Sequence, residues 1–210
     1  MKLIFFSICF VHGLSGDWKS TWLFPGSESG KEFWWPEYIQ KRTNSRVLLY
    51  GYHTIAPTAE YLARRTLYHH AQSLVDSLAK ERAEHPRRPL IFVAHSLGGL
   101  LVMSALILSS QAREKDSQVW NISLATTGMV FLGTPPTRPI SSFSSLLKKI
   151  AENSGVKRKI LKDLDRESEI LQSYLDAFEP LRNDITINSF FEPQGTTSAH
   201  VVSCSSTQSD

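Results

Sequence analysis

Apolar runs alternate along this chain with segments of helical periodicity, and this alternation predicts its elements. Five runs have the length of strands, and four of them are short, rich in Val, Ile, Leu and Phe, and without polar alternation. Such runs are typical of parallel strands covered on both faces. The runs are Leu3–Val11, Arg46–Tyr50, Leu90–Ala94, Gly128–Leu132 and Ile185–Phe191. The pattern predicts an α/β fold with a mostly parallel sheet and helices on both faces.

Helical periodicity fills the segments between these runs. From Ala59 to Glu84, apolar residues fall on one helical face, whereas Leu100–Ser109 is apolar almost all round and is predicted to be buried. Ile160–Leu181 is amphipathic again. Residues 140–181 form either a helical cap over a site or an ordinary crossover that covers the sheet, and both interpretations stay open.

Composition excludes some classes of protein. The 210 residues fit one domain, which we place at residues 1–204, followed by a frayed polar tail at 205–210. Hydrophobic residues at 41% and charged residues at 20% are ordinary for a soluble globular protein. The formal net charge of +3 comes from scattered Lys and Arg residues, so nucleic acid is not an expected partner.

The two cysteines, Cys9 and Cys204, indicate neither a disulfide framework nor a zinc site. Cys9 lies in an apolar run and is expected to be buried. We expect no metal and no cofactor, and a reducing, intracellular compartment with the cytoplasm as the default. The oligomeric state stays open.

The apolar N-terminus has two interpretations. "MKLIFFSICFV" could begin a signal peptide, but no A-x-A-like cleavage site follows it. Because "HGLSGDW" follows and is typical of a functional turn, we interpret the run as a buried strand. No apolar run is long enough to span a bilayer.

The stretch "PLIFVAHSLGGLLVMSAL" has the pattern of a strand, a sharp turn and a helix, with Ser96 at the tip of the turn. Small residues, Ala94 and Gly98, stand two before and two after the serine, and Gly99 gives the helix further room. The turn would expose Ser96 as a nucleophile and aim the Leu97 N–H at a developing oxyanion. The alternative is a glycine-rich turn without chemistry.

A second loop, "FVHGLSG", follows the first apolar run. It is similar to the His-Gly loops of lipases, and this similarity makes the Leu14 N–H the second oxyanion donor. His12 and Gly13 would then shape the loop rather than act on substrate.

Six motifs occur in an order that resembles one family: "FVHGLSGDWKSTW", "FWWPEYI", "RVLLYGY", "RPLIFVAHSLGGLLV", "GMVFLGTP" and "ITINSFFE". They resemble the lipase-like α/β-hydrolase domains of the serine-active-site-containing proteins, which are distant relatives of the GPI inositol-deacylases and are common in fungi. The resemblance implies an α/β-hydrolase fold and hydrolysis of a lipid or other acyl ester. It also allows peripheral association with mitochondrial or endoplasmic reticulum membranes.

Two departures from this family concern the site. Residues 136–139, "PTRP", stand where the family has His-Arg-Gly-Ser, which changes the loop after "FLGTP". The family also continues into an acid-bearing loop and a final histidine-bearing segment, so the resemblance implies an incomplete C-terminal part here.

The partners of Ser96 are sought in the order serine, acid, histidine. His200 is the only histidine after Ser96 and is the candidate base, although by resemblance it falls where the last strand begins. Glu192, at the end of a predicted strand, is the candidate acid; a local capping or pairing role is the alternative. His53, after another predicted strand, is a candidate for substrate contact.

Two functions follow from these residues. The first is a serine hydrolase that acts on carboxylic esters, and acyl transfer to another alcohol would use the same groups. The second is a catalytically impaired hydrolase-fold module that binds a ligand or partner. Aromatic residues near the first loop either line an apolar acyl site or pack the loop against the sheet: Trp18, Trp22, Phe33, Trp34 and Trp35.

Overall fold

Eight strands and five α-helices lie in the part of the chain that the computed structural model describes. It describes residues 4–13, 16–24, 33–52, 64–112, 117–134, 176–191 and 203–206. The strands are β1 (Phe6–Val11), β2 (Leu23–Phe24), β3 (Phe33–Trp34), β4 (Ser45–Tyr50), β5 (Leu90–His95), β6 (Thr126–Leu132), β7 (Thr186–Phe191) and β8 (Ser203–Ser206). The helices are α1 (Trp35–Arg42), α2 (Arg64–Glu81), α3 (Leu97–Ser110), α4 (Trp120–Ala125) and α5 (residues 176–182).

Six of the strands form one sheet in the order β4-β1-β5-β6-β7-β8. Neighbours from β4 to β7 are parallel, and β8 is antiparallel to β7. Val11 at the end of β1 pairs with Tyr50 of β4 and Ala94 of β5. His95 pairs with Leu132 at the end of β6. The loops after these strands therefore leave from one edge, where sites collect in parallel sheets.

Both faces of the sheet are covered. On one face, Cys9 and Val11 of β1 pack in a core with α2 and α3. On the other face, Ile8 and Phe10 pack against Trp22, with Ile39 of α1 alongside. The sheet is mostly parallel and has helices on both faces, and the single residue Ser96 separates β5 from α3. This arrangement is the α/β-hydrolase fold that the sequence predicts.

The five predicted strands are confirmed as β1, β4, β5, β6 and β7. Helix α2 falls inside the predicted segment 59–84, and α3 begins at Leu97 rather than Leu100 because it follows the turn directly. Of the predicted helix Ile160–Leu181, the part after residue 175 lies in α5, and the rest of the proposed cap at 140–175 lies outside the described residues. In the described part of the chain, no helix is both long and apolar enough to cross a bilayer.

The prediction of a frayed end is wrong for residues 203–206. The sequence "SCSS" forms β8, whose Ser203 pairs with Phe191 and whose Ser206 pairs with Asn188. The reason is that strand pairing uses backbone groups, which serines supply as well as any residue, while apolar patterning reports only on buried faces. The predicted tail at 205–210 therefore begins two residues inside a strand.

Candidate active site

Ser96 sits in a strained backbone conformation between β5 and α3. Its φ is 50° and its ψ is −123°, and among the described residues it is the only one other than glycine with positive φ. Such conformations cost about 1–3 kcal/mol and persist only where the surroundings impose them. The strain lifts Ser96 out of the strand direction at the edge where β5 ends, and its side chain is only partly buried.

The first turn of α3 lies directly against the loop that follows β1. A Cβ on Gly98 would come within 2.5 Å of the His12 carbonyl oxygen and 2.6 Å of the Val11 carbonyl oxygen. A Cβ on Gly13 would come within 2.9 Å of both the His95 carbonyl oxygen and Ser96 Cβ. Glycine at both positions lets the two loops touch, which brings Gly13 beside Ser96.

His12 is buried beneath this loop and is held in one tautomer. Its Nδ1 lies 2.9 Å from the Gly13 carbonyl oxygen, and its Nε2 lies 3.2 Å from the Tyr52 N–H nitrogen. Because a carbonyl only accepts and an amide N–H only donates, Nδ1 carries the proton and Nε2 accepts. The Tyr52 ring stacks on the imidazole at 4.3 Å, and its hydroxyl donates to the His12 carbonyl oxygen at 2.9 Å.

Burial lowers the pKa of His12 below its ordinary value of 6.5, against smaller opposing effects of its hydrogen bonds and of Asp17. The neutral imidazole is therefore the form that the folded loop favours. Its contacts with Gly13 and Tyr52 suit a side chain that holds the loop.

Asp17 caps the turn that leads back to the sheet. Its carboxylate accepts from the backbone N–H groups of Lys19 at 2.8 Å and Ser20 at 2.9 Å, and from the Ser20 hydroxyl. The hydroxyl and then the amides hold its pKa at about 2. The short 3₁₀ turn Ser20–Trp22 follows, and it seats the Trp22 ring edge-on against Phe10 with centroids 5.0 Å apart.

The loop after β6 supports the turn from the other side. The Ser96 N–H donates to the Leu132 carbonyl oxygen at 2.8 Å, and the Thr134 hydroxyl donates to the Ser96 carbonyl oxygen at 2.9 Å. Between them, Gly133 takes a φ of 62°, and its N–H donates to the Phe190 carbonyl oxygen at 2.8 Å. Sequence reasoning missed Thr134, although the motif "FLGT" at the end of a parallel strand was a usable signal.

The structure brings together part of the predicted site. His12, Gly13, Ser96 and the first residues of α3 meet at the carboxyl edge of the sheet. Gly99 approaches Thr134, whose Cγ2 and Oγ1 would both lie 2.4 Å from a Cβ at that position. Four predicted residues lie outside the described residues: Leu14, His53, Glu192 and His200.

The aromatic residues near the first loop divide between packing and exposure. Trp22 is buried, and Trp34 packs in the same cluster, so for these two the packing interpretation holds. Trp18 is 48% exposed and Trp35 is 47% exposed. The remaining residue, Phe33, pairs with Phe24 in the small β2–β3 ribbon.

Among the described residues, no group of three or more His, Cys, Asp or Glu side chains is placed to hold a metal ion. Cys9 is fully buried, and burial raises its pKa to about 12. A thiol in that state is unreactive.

The sequence matches no protein-family model and no curated protein. Among solved structures, the lipase BlEst2 of Bacillus licheniformis in its mature form aligns with a TM-score of 0.49 and 18% identity, covering 89% of this chain and 65% of the lipase. The lin2722 gene product of Listeria innocua aligns with a TM-score of 0.36 and 14% identity, covering 62% of this chain and 51% of that protein. The present chain thus spans less than two thirds of the length of either of these proteins.

Proposed function

We propose that this chain is a serine hydrolase that cleaves carboxylic esters, with Ser96 as the nucleophile. The observation that carries the proposal is the strained φ of Ser96, 50°, at the junction of a parallel strand and a buried helix. A serine held in this way presents its Oγ at the sheet edge, and a strand–turn–helix of this kind is the nucleophile elbow of α/β-hydrolases. Attack on an ester carbonyl would form an acyl-enzyme and release the alcohol.

The Leu97 N–H is the first proposed oxyanion donor. Leu97 is the first residue of α3, and the N–H groups of a first helical turn have no intrahelical acceptor and carry the positive end of the helix dipole. The second proposed donor is the Leu14 N–H. It is supported by the preceding residue, Gly13, which lies against Ser96 Cβ.

His200 is the proposed base, and Glu192 is the proposed acid that orients it. Two described strand ends support these assignments. Glu192 directly follows Phe191, the last residue of β7, and Phe191 pairs with Ser203, the first residue of β8. Both ends of segment 192–202 therefore attach to the carboxyl edge of the sheet. His200 lies three residues before Ser203, which begins β8, so the backbone between them spans at most about 10 Å. Three strand spacings, about 14 Å, separate β8 from β5, so the histidine side chain would span the rest of the distance to Ser96.

The proposed substrate is a lipid ester or another acyl ester. The exposed ring of Trp18 is close in sequence to the loop that follows β1, and the ring of Trp35, at the start of α1, is exposed as well; both are suited to contact an acyl chain. Transfer of the acyl group to an alcohol other than water would use the same nucleophile and oxyanion donors.

Turnover of p-nitrophenyl esters with short and long acyl chains tests the proposal. We expect the Ser96→Ala variant to lose about four powers of ten in rate or more, while Ser110→Ala, at the far end of the same helix, keeps the wild-type rate. His200→Ala should fall almost as far, and His85→Ala, an exposed histidine, should not.

The alternative function is a hydrolase-fold module that binds without turnover. A folded wild-type chain, shown by circular dichroism, with no hydrolysis of any ester in the series would favour that alternative and contradict the proposal. Full activity in the His200→Ala variant would instead assign the base to another residue while leaving Ser96 as the nucleophile.

A further inference from the structure

The peptide group that joins Ser96 to Leu97 is held by two donors at its carbonyl end. The Gly99 N–H donates to the Ser96 carbonyl oxygen at 3.1 Å, and the Thr134 hydroxyl donates to the same oxygen at 2.9 Å. The first contact is local to the turn. The second comes from the loop that follows β6 and joins the turn to the rest of the sheet.

We propose that Thr134 is a positioning residue that orients and polarises the Ser96–Leu97 peptide, and that it thereby sets the strength of the oxyanion site. The inference rests on the proposed function, in which the Leu97 N–H stabilises the oxyanion. The carbonyl that Thr134 binds and the N–H that faces the oxyanion belong to one planar unit. Fixing the oxygen end of that plane fixes the direction of the N–H at the other end.

The hydroxyl also changes the strength of the N–H as a donor. A hydrogen bond donated to a carbonyl oxygen draws electron density away from the amide nitrogen, so the N–H at the other end becomes a better donor. Such cooperativity strengthens a hydrogen bond by about 10–30% in condensed-phase estimates. Thr134 is only 1% exposed, so water does not compete for its hydroxyl.

Thr134 is itself held rigidly enough to act in this way. Its Cγ2 and Oγ1 occupy the space above Gly99, where a Cβ would lie 2.4 Å from each of them. The preceding residue, Gly133, turns the chain with a φ of 62° and is bonded to β7 through the Phe190 carbonyl oxygen. Among the described residues, the hydroxyl donates to the Ser96 carbonyl oxygen.

The hydrogen bond from Thr134 helps to keep Ser96 in its strained backbone conformation. A residue at φ 50° relaxes unless its neighbours oppose the relaxation. The Ser96 N–H is held by Leu132 and the Ser96 carbonyl by Thr134, so β6 and the loop after it bind both ends of the strained residue. Loss of the hydroxyl frees one of these two ends.

The test compares Thr134→Val, which removes the hydroxyl and keeps the shape, with Thr134→Ser, which keeps the hydroxyl. Thr126→Val is the matched control, because Thr126 is also buried, at the start of β6, and its hydroxyl donates to a backbone carbonyl, that of Ile122, at 2.7 Å. The readouts are kcat and KM for ester hydrolysis, the rate of fluorophosphonate labelling, and hydrogen exchange of a peptide that covers residues 90–100.

We expect Thr134→Val to lower kcat and the labelling rate by about tenfold or more, less than the hundredfold or greater loss typical of deleting an oxyanion donor, with KM nearly unchanged. Thr134→Ser should recover most of the rate, and Thr126→Val should leave it unchanged. Exchange at residues 90–100 should rise in Thr134→Val alone. Should Thr134→Val fail to fold, the pair Thr134→Ser and Thr134→Ala isolates the hydroxyl in the same way.

Two results separate this inference from the proposed function. Equal rates and equal exchange in Thr134→Val and Thr126→Val, with an active wild type, would overturn the role of Thr134 and leave the hydrolase proposal standing. A wild-type chain that neither turns over esters nor labels would overturn the hydrolase proposal and, with it, the oxyanion role of Thr134. Equal exchange at residues 90–100 in the two valine variants would then remove its structural role as well.

Discussion

At residue 98, two backbone oxygens leave no room for a side chain. The carbonyl oxygens of Val11 and His12 would lie 2.6 Å and 2.5 Å from a Cβ, and backbone atoms cannot rotate away as a flexible side chain can. We expect Gly98→Ala to push α3 away from the loop after β1. The expected loss in free energy of unfolding is about 3 kcal/mol, the upper part of the usual range for overpacking, measured by urea denaturation.

Gly128→Ala is the control for that substitution. Gly128 lies in β6, and the nearest atom to an added Cβ is a side-chain carbon of Ile91 at 3.6 Å, an ordinary contact. We expect its stability to stay within about 1 kcal/mol of the wild type, with a small gain from the less flexible unfolded chain. Equal stabilities for the two alanine variants would contradict the close approach at Gly98.

At the residue scale, the sequence predicted which positions near Ser96 need a small residue, but not which residues from other elements pack against them. Small residues around Ser96 follow from the sharp turn itself, so Gly98 was predictable. The contact between Gly99 and Thr134 was not predictable. Thr134 follows a different strand, β6, and its position beside Gly99 depends on the register of β5 and β6. Tyr52 was missed for the same reason, because it lies two residues after β4 and its hydrogen bonds to His12 depend on the pairing of β4 with β1.

At the scale of the element, the loop after β1 packs around His12, whose hydrogen bonds and burial favour the neutral imidazole. In the folded chain, His12 Nε2 accepts from the Tyr52 N–H, and a proton on Nε2 would set two donors against each other. The pKa of His12 is lowered in the folded state, mainly by burial, from an ordinary value of 6.5. Between these two pKa values, the unfolded chain binds a proton that the folded chain does not.

It follows that the contribution of His12 to stability is fully present above about pH 6.5 and is lost as the pH falls from there towards the lowered pKa. We expect the difference in free energy of unfolding between the wild type and His12→Gln, measured by urea denaturation from about pH 8 to pH 5, to shrink on acidification. The glutamine variant removes this titration while keeping a polar side chain. A difference that grows or stays constant as the pH falls would contradict the neutral assignment.

Element predictions succeeded where burial sets the pattern. The strands β1, β5 and β6 and the helix α3 are buried on more than one side, and their apolar runs are unmistakable. The elements missed were α1, α4, the β2–β3 ribbon and β8, which are short or lie at the margin of the sheet. Such elements depend on tertiary contacts rather than on a periodic apolar face.

At the scale of the whole molecule, alternating strands and helices predicted an α/β fold with a mostly parallel sheet, because parallel strands need covered crossovers. The α/β-hydrolase fold was expected only once the turn at Ser96 and the loop after β1 were added. The same topology explains why Ser96, Gly13 and Thr134 meet: each follows a strand that ends at one edge. The assignment of the base was beyond such reasoning. It depends on the path of segment 192–202, which no local pattern specifies.

Covalent labelling with a fluorophosphonate, read by intact mass and by mapping of the modified peptide, shows whether Ser96 is an activated nucleophile. We expect one adduct per chain on Ser96, absent from Ser96→Ala and retained in Ser110→Ala. A folded wild-type chain that gains no adduct, or that is modified equally well without the Ser96 hydroxyl, would contradict this expectation.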